Sequence, residues 1–495
     1  MLPLDTLAPV RRRLLPVSLA LGLFLFDAVC AADESRSVKT ESFSDAYRIT
    51  LAGGQAGCSL EGEERNEQGE ILRAWRETRL RIGRDGAVSE ISNRLERRRG
   101  RDGEADTLWS VASSSGSAPT EVICICDLDS LRWSAVTGDA RARGALARPT
   151  DLVLLGDERR LFARPVPAEL EWSEFDSDAI RILRATGVCD GETLLAPESR
   201  PASAWRMSTS AAPGLTSLEW RDETGRRLRS AVPAWGLEER LESGDPCASS
   251  ASVPDLFGSV RVDLTAPWVE SGRLRHVTYL LQRVDGAPLR AFDSVDGVVC
   301  SETAEGLEIS IDVADSGRPS PAPTEECRKS SRWIESDDPA IRAAAARVHA
   351  EQSAPFAIAA ALETLVASHI AAKDLSVVFA SAAETWRARR GDCTEHAVLL
   401  AALFRADGIP ARVVAGFVPQ GDALVWHLWT EAWIQGGWRA FDAALDLGDS
   451  VDARYLPIAT SCLTGDGAPD LGYALAPFLG TLRAHVMRRE TIESP

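Results

Sequence analysis

One cysteine, Cys393, stands near the start of the stretch RRGDCTEHAVLLAALFRADGIPARVVAGF, which runs from Arg389 to Phe417. A thiol attacks carbonyl carbon as its thiolate, and acyl transfer also needs a base that later serves as an acid. The chain has six histidines: His276, His349, His369, His396, His427 and His485. Of these, His427 lies in the alternating stretch VWHLWTEAWI, beside the turn signal Gly436-Gly437 and the return stretch WRAFDAAL, which carries Asp442. A carboxylate there can hold an imidazole in one tautomer and one orientation. The chemistry these three types support is attack on a carboxamide or peptide bond through a thioester.

The elements that must position them can be read next. Ala397, Leu400, Ala401 and Phe404 repeat at helical spacing, so Cys393 opens a helix. First-turn N–H groups have no intrahelical partner and stabilise a thiolate or a developing oxyanion. Gly391 permits a sharp turn and close approach, and Asp392 can cap the helix. Upstream, Asp338-Pro339 starts one helix, Pro355 opens a second to about Ile370, and Ser381 caps a third through Arg387. From Arg412 the period becomes that of strands, giving an α+β layout with helices to one side of an antiparallel sheet. A turn centred on Gly436-Gly437 puts His427 and Asp442 on one sheet face but staggered by about four residues. On that register, direct contact requires twist or a bulge.

Three blocks resemble the transglutaminase-like superfamily of bacterial exported proteins: RGDCTEHA (390–397) followed by GIPAR (408–412), HLWTE (427–431), and Trp438 with Phe441-Asp442. They come in the family's order and spacing, within about residues 335 to 460. The resemblance implies a papain-like fold with Cys393 as nucleophile, His427 as general base and acid, and Asp442 as its orienting partner. Flanks such as WHLW and DAA depart from the pattern, and the segment past Tyr455 has no counterpart, which leaves substrate choice open.

Each residue also has a plainer reading. Cys393 could be a buried thiol or half of a disulfide. His396 points elsewhere on its helix and fits packing better than catalysis. Glu395 and Glu431 suit structural hydrogen bonds, and Arg412 suits anchoring of carboxylates or backbone. Trp429 faces the same side as His427 and is expected to wall a substrate cleft, with core packing as the alternative.

The remainder of the 495 residues frames this site. A formal charge of −18 and a pI near 5.0 argue against a nucleic-acid partner. Arg11–Arg13, an apolar run from Leu14 to Phe26 and small residues before a cut after Ala31 have the layout of a signal peptide over 1–31. The expected location is therefore periplasmic or secreted. Asp27-Ala28-Val29 is a poor lipobox, so lipid anchoring at Cys30 is the less favoured reading. No span of the mature chain approaches the roughly 20 apolar residues of a membrane helix.

Removal of Cys30 leaves nine cysteines, an odd number, so at least one thiol is unpaired and up to four disulfides are open to the rest. Cys124-Ile125-Cys126 lacks a second ligand pair at zinc spacing, and neither a metal nor any other cofactor is expected. Residues 40–315 alternate in short segments around turns such as Asp85-Gly86, Asp102-Gly103, Thr224-Gly225, Asp285-Gly286 and Asp296-Gly297. This predicts a β-rich region, in one part or in two with a seam near 190–200. Residues 316–326 read as a linker, 330–460 as the catalytic domain, and 461–495 as a helical tail.

The function expected is that of an exported cysteine-dependent acyl transferase or hydrolase acting on a protein or peptide substrate. A peptidase or amidase of the same fold, and a non-catalytic envelope binding module, are the alternatives. Oligomeric state is not legible.

Overall fold

The computed structural model describes residues 41–492 except 196–199, 211–214, 249–252, 255–260, 314–321, 374–378, 446–450, 465–470, 472–477 and shorter loop positions. The expected signal peptide, the turn residues Asp85-Gly86, Asp102 and Asp285, and part of the 316–326 segment lie outside the described residues.

The chain is mostly strand. Among the described residues, fifteen strands from Glu41–Leu51 to Leu237–Glu242 join into one meandering sheet. The alternation that predicts strands also sets their faces. Strand Thr120–Cys126 buries Val122, Cys124 and Cys126 and leaves Ile123 and Ile125 outside. The sheet rolls on itself: Cys124, Cys126 and Leu131 pack against Leu154, Phe175 and Ile182 from the far end of the strand order. Strand Arg181–Leu195 pairs with Arg200–Thr209 through one bulge at Cys189–Gly191, so the strands on either side of 196–199 belong to one sheet rather than to two parts. A disulfide, Cys58–Cys247, ties the segment after the last strand back to the second.

The expected boundary at 316–326 is not where the sheets divide. Strands Arg261–Leu264, Leu274–Arg283, Val298–Glu302 and Leu307–Asp312 belong to a second sheet, of nine strands among the described residues. They share it with Ala411–Gln420, Ala423–Ile434, Gly437–Phe441, Leu456–Ser461 and Leu482–Thr491. The break between sheets falls after Glu242. The expected helical tail over 461–495 is also corrected. Leu482–Thr491 is a central strand, parallel to Arg261–Leu264 and antiparallel to Leu274–Arg283. Alanine and arginine in LRAHVMRRET suit a helix locally, but the open edges of two neighbouring strands decide otherwise.

Helices cover one face of this sheet, and their starts follow the caps in the sequence. The Asp338 side chain accepts from the N–H groups of Ala340 (2.8 Å) and Ile341 (3.2 Å), and Pro339 occupies the first turn of helix Pro339–Glu351. Helix Pro355–His369 follows, and Ser381 with Glu384 forms a capping box at helix Ala382–Ala388. Helix Cys393–Ala406 is buried from Cys393 to Arg405, as suits a helix apolar on all sides from Ala397 to Phe404. It packs with Ile341, Leu362, Val413, Leu428 and Phe441 in one core. No helix among the described residues is long and apolar enough to cross a membrane.

The two sheets touch through this layer. The Ala118 N–H donates to Glu384 Oε1 at 2.8 Å, and Arg332 donates to the Asp178 carbonyl at 2.6 Å. A second disulfide, Cys327–Cys462, joins the segment before the helices to the chain just past strand Leu456–Ser461.

Candidate active site

The local sequence before Cys393 explains its setting. Asp392 and Glu395 form a capping box: Asp392 accepts from the Thr394 N–H at 2.7 Å, and Glu395 accepts from the Asp392 N–H at 2.9 Å. The other Glu395 oxygen accepts from the Ala380 N–H at 2.9 Å, so one buried side chain ties the helix start to the preceding segment. Burial and the neighbouring Asp392 charge push the Glu395 carboxyl well above its usual range. Gly391 has φ +151°, and a Cβ there would lie 2.4 Å from Glu395 Cβ. Only glycine fits the turn that delivers Cys393.

His427 is held by its strand. That strand pairs along one edge with Ala411–Gln420, with His427 opposite Gly416. Its other edge is shared by two short strands: Arg261–Asp263 pairs with residues 423–425, and Gly437–Phe441 with residues 430–434. His427 thus sits in a notch between them, and the chain leaving Phe441 brings Asp442 into that notch. Thr430 donates to the Ala397 carbonyl at 2.9 Å, which fixes this strand against the Cys393 helix.

The hairpin turn differs from expectation by one residue. Ile434 pairs with Gly437, so the turn is Gln435-Gly436, with φ +52° and +82°. The shift halves the expected stagger between His427 and Asp442, and contact is direct: His427 Nε2 lies 2.7 Å from Asp442 Oδ2. The imidazole also hydrogen-bonds with Cys393. With Nε2 occupied by the carboxylate, Nδ1 is the nitrogen left for the sulfur. The structure therefore brings the three residues together, all buried, with Cys393 8% exposed.

The electrostatics follow from that contact. Burial alone would lower the His427 pKa, but the Asp442 carboxylate and Cys393 outweigh it and push it up to about 10. Burial would raise Asp442, yet His427 and the hydrogen bonds from His427, Tyr455 and the Ala444 N–H hold it below the ordinary carboxylate range. An imidazole placed this way can take a proton from a thiol and return it to a leaving group.

Other expected residues fall elsewhere. Trp429, expected to wall a cleft, is 2% exposed and packs with Val414, Val418, Val451 and Tyr455. Both faces of its strand are covered, so facing the same side as His427 does not expose it. Its ring instead stacks behind His427, 6.3 Å between centroids. His396 donates to the Asp392 carbonyl at 2.6 Å within its own helix. Arg412 donates to Glu431 at 2.6 Å and lies over the Trp438 ring at 4.1 Å, bracing the hairpin. Of the nine cysteines counted, four form two disulfides and five are free: Cys124, Cys126, Cys189, Cys300 and Cys393.

Two contacts escape the sequence reading. The Tyr455 hydroxyl donates to Asp442 Oδ2 at 2.7 Å, and Glu363 accepts from the Asp442 N–H at 2.7 Å. Tyr455 is one of only four tyrosines, the one signal that marks it out.

The family model described as the transglutaminase-like superfamily matches residues 342–443. No curated protein sequence matches the chain. Among solved structures, the chain is similar to a candidate cysteine protease from Cytophaga hutchinsonii, at 18% identity and TM-score 0.26, covering 45% of this chain and 89% of that one. It is also similar to the periplasmic domain of TgpA from Pseudomonas aeruginosa, at 18% identity and TM-score 0.21, covering 35% and 90%. A β-barrel-like protein of a domain of unknown function from Brucella abortus aligns at 9% identity and TM-score 0.33, covering 42% and 98%. With the motif blocks, the helix-borne cysteine and the matched segment in agreement, residues 342–443 form a transglutaminase-like domain.

Proposed function

We propose that the chain is an exported cysteine-dependent acyl transferase or hydrolase acting on protein or peptide carboxamide or peptide bonds. Cys393 attacks the carbonyl carbon as a thiolate paired with the His427 imidazolium, which already holds the thiol proton. The C–N bond then breaks, His427 returns that proton to the departing nitrogen, and a thioester remains on Cys393. An amine or water attacks the thioester, gives its proton to His427, and releases the acyl group with the thiol restored. Asp442 holds the imidazole and stabilises its charged form. The backbone N–H at Cys393, in the first helical turn, is the natural donor to the oxyanion, since the Asp392 and Thr394 N–H groups are taken by the capping box.

The observation that carries this reading is the single imidazole held between the Asp442 carboxylate at 2.7 Å and the Cys393 sulfur. The two disulfides support export. The test is incubation of the mature protein with a glutamine-containing peptide and a primary amine, read by product mass. A new amide marks transfer; gain of water marks deamidation or cleavage. Absence of both products over a panel of peptides, with wild type and Cys393→Ala alike, favours a non-catalytic envelope binding module.

A further inference from the structure

We infer that Tyr455 is a positioning residue of this site: its hydroxyl shares the carboxylate oxygen that holds His427, and so sets both the aim and the proton affinity of the imidazole. This rests on the proposed roles of Cys393, His427 and Asp442.

The geometry carries it. A carboxylate offers about four acceptor positions. At Asp442 the four donors are the Tyr455 hydroxyl and His427 Nε2 on Oδ2, both at 2.7 Å, and the N–H groups of Ala444 (2.9 Å) and Leu445 (3.3 Å) on Oδ1. The carboxylate cannot rotate without giving up several of them. Tyr455 is itself 2% exposed, with its ring edge-on to His427 at 6.1 Å and to Trp429 at 5.2 Å. The phenol is therefore fixed on both its ring and its hydroxyl, and it fixes Asp442 in turn.

A chemical effect accompanies the mechanical one. Oδ2 divides its electron density between phenol and imidazole, so it pulls on the imidazolium less than an undivided carboxylate would. His427 then returns its proton more readily to a leaving amine. The charged and titratable groups facing this cluster are Cys393 on His427, Glu363 on the Asp442 backbone, and Asp452 and Arg454 near the phenol. Burial and the Asp442 charge keep the phenol protonated, as a donor must be.

The test is Tyr455→Phe in the full mature chain, which keeps the ring and its packing. Two readouts are needed: imidazole NMR titration of His427, assigned by comparison with His427→Gln, and steady-state kinetics on whichever peptide substrate proves active. The expected results are an upward move of the His427 midpoint and a roughly ten- to hundredfold fall in kcat with KM little changed, the scale of one hydrogen bond to a charged group. An unmoved midpoint overturns the inference whatever happens to kcat, because removing a phenol that shares Oδ2 with His427 must change the pull on the imidazolium, whereas a loss of packing alone could lower kcat with the titration intact. If the wild-type protein has no activity that Cys393→Ala abolishes, the proposed function fails, while the titration still decides the role of Tyr455.

Discussion

Thr430 donates its hydroxyl to the carbonyl of Ala397, and this 2.9 Å bond joins the strand bearing His427 to the helix opened by Cys393. Ala397 lies one turn past the cysteine and Thr430 three residues past the histidine, so the bond sets the spacing between sulfur and imidazole. Thr430→Val keeps the shape and removes the donor. The expected loss is about 1 kcal/mol in urea unfolding, with a fall in Cys393 reactivity larger than that loss explains. Equal reactivity in the variant would mean the helix and strand are registered by packing alone.

Gly391→Ala tests the turn before Cys393. The position has φ +151°, and the added methyl would sit 2.4 Å from Glu395 Cβ. Backbone strain of about 1–3 kcal/mol is expected from the conformation alone, with the capping box opened as Glu395 gives way. Thermal melting and Cys393 labelling should both worsen. A melting temperature equal to wild type contradicts the tight packing described.

Alkylation separates chemistry from access. Cys189 and Cys300 are more exposed than Cys393, and Cys124 and Cys126 are buried. Burial pushes the Cys300 thiol up to about 11, which slows it near neutrality. Iodoacetamide with peptide mapping should modify Cys393 first in the native protein, and His427→Ala should abolish that preference. Labelling in order of exposure would remove support for an activated thiol.

The pH dependence has a definite sign. His427 is raised from 6.5 to about 10, so its contribution to stability is complete below 6.5 and is lost as pH rises toward about 10. Asp442 is lowered from 3.8, so its contribution is present above 3.8 and is lost as pH falls through the lower folded value. Urea midpoints measured across pH should therefore decline on the alkaline side, and His427→Gln should flatten that limb. An alkaline limb unchanged by the substitution would assign it to other groups.

Reduction should weaken the domain. The Cys327–Cys462 bridge spans 135 residues and encloses every helix of the site. Its loss is expected to cost about 2–5 kcal/mol. Melting of a Cys327→Ser, Cys462→Ser double variant against wild type measures it, and no change would show that the helical layer holds without the bridge.

What was legible in the sequence was mainly local. Asp338-Pro339, Ser381 with Glu384, and Gly391-Asp392 name their helix starts because caps and glycine act within a few residues. The order Cys393, His427, Asp442 was readable because each sits at a recognisable place in a motif. Other features depend on distant chain. The hairpin turn moved one position because Gln435 adopts a positive φ that residue type does not announce. Trp429 looked like a cleft wall because alternation gives a side, not whether that side is covered. Tyr455 reaches Asp442 from 13 residues further along the chain, and no period points to it. Strand Leu482–Thr491 takes its form from Arg261–Leu264 and Leu274–Arg283, about two hundred residues away in sequence.

That last strand has a consequence for biosynthesis. It fills the slot between Arg261–Leu264 and Leu274–Arg283, and Arg261–Leu264 in turn borders the strand carrying His427. The sheet beneath the Cys393 helix cannot be completed until translation has passed Thr491. A fragment cut to the family-matched stretch would lack six of the sheet's nine described strands, so any soluble truncation must begin before Arg261 and retain Thr491.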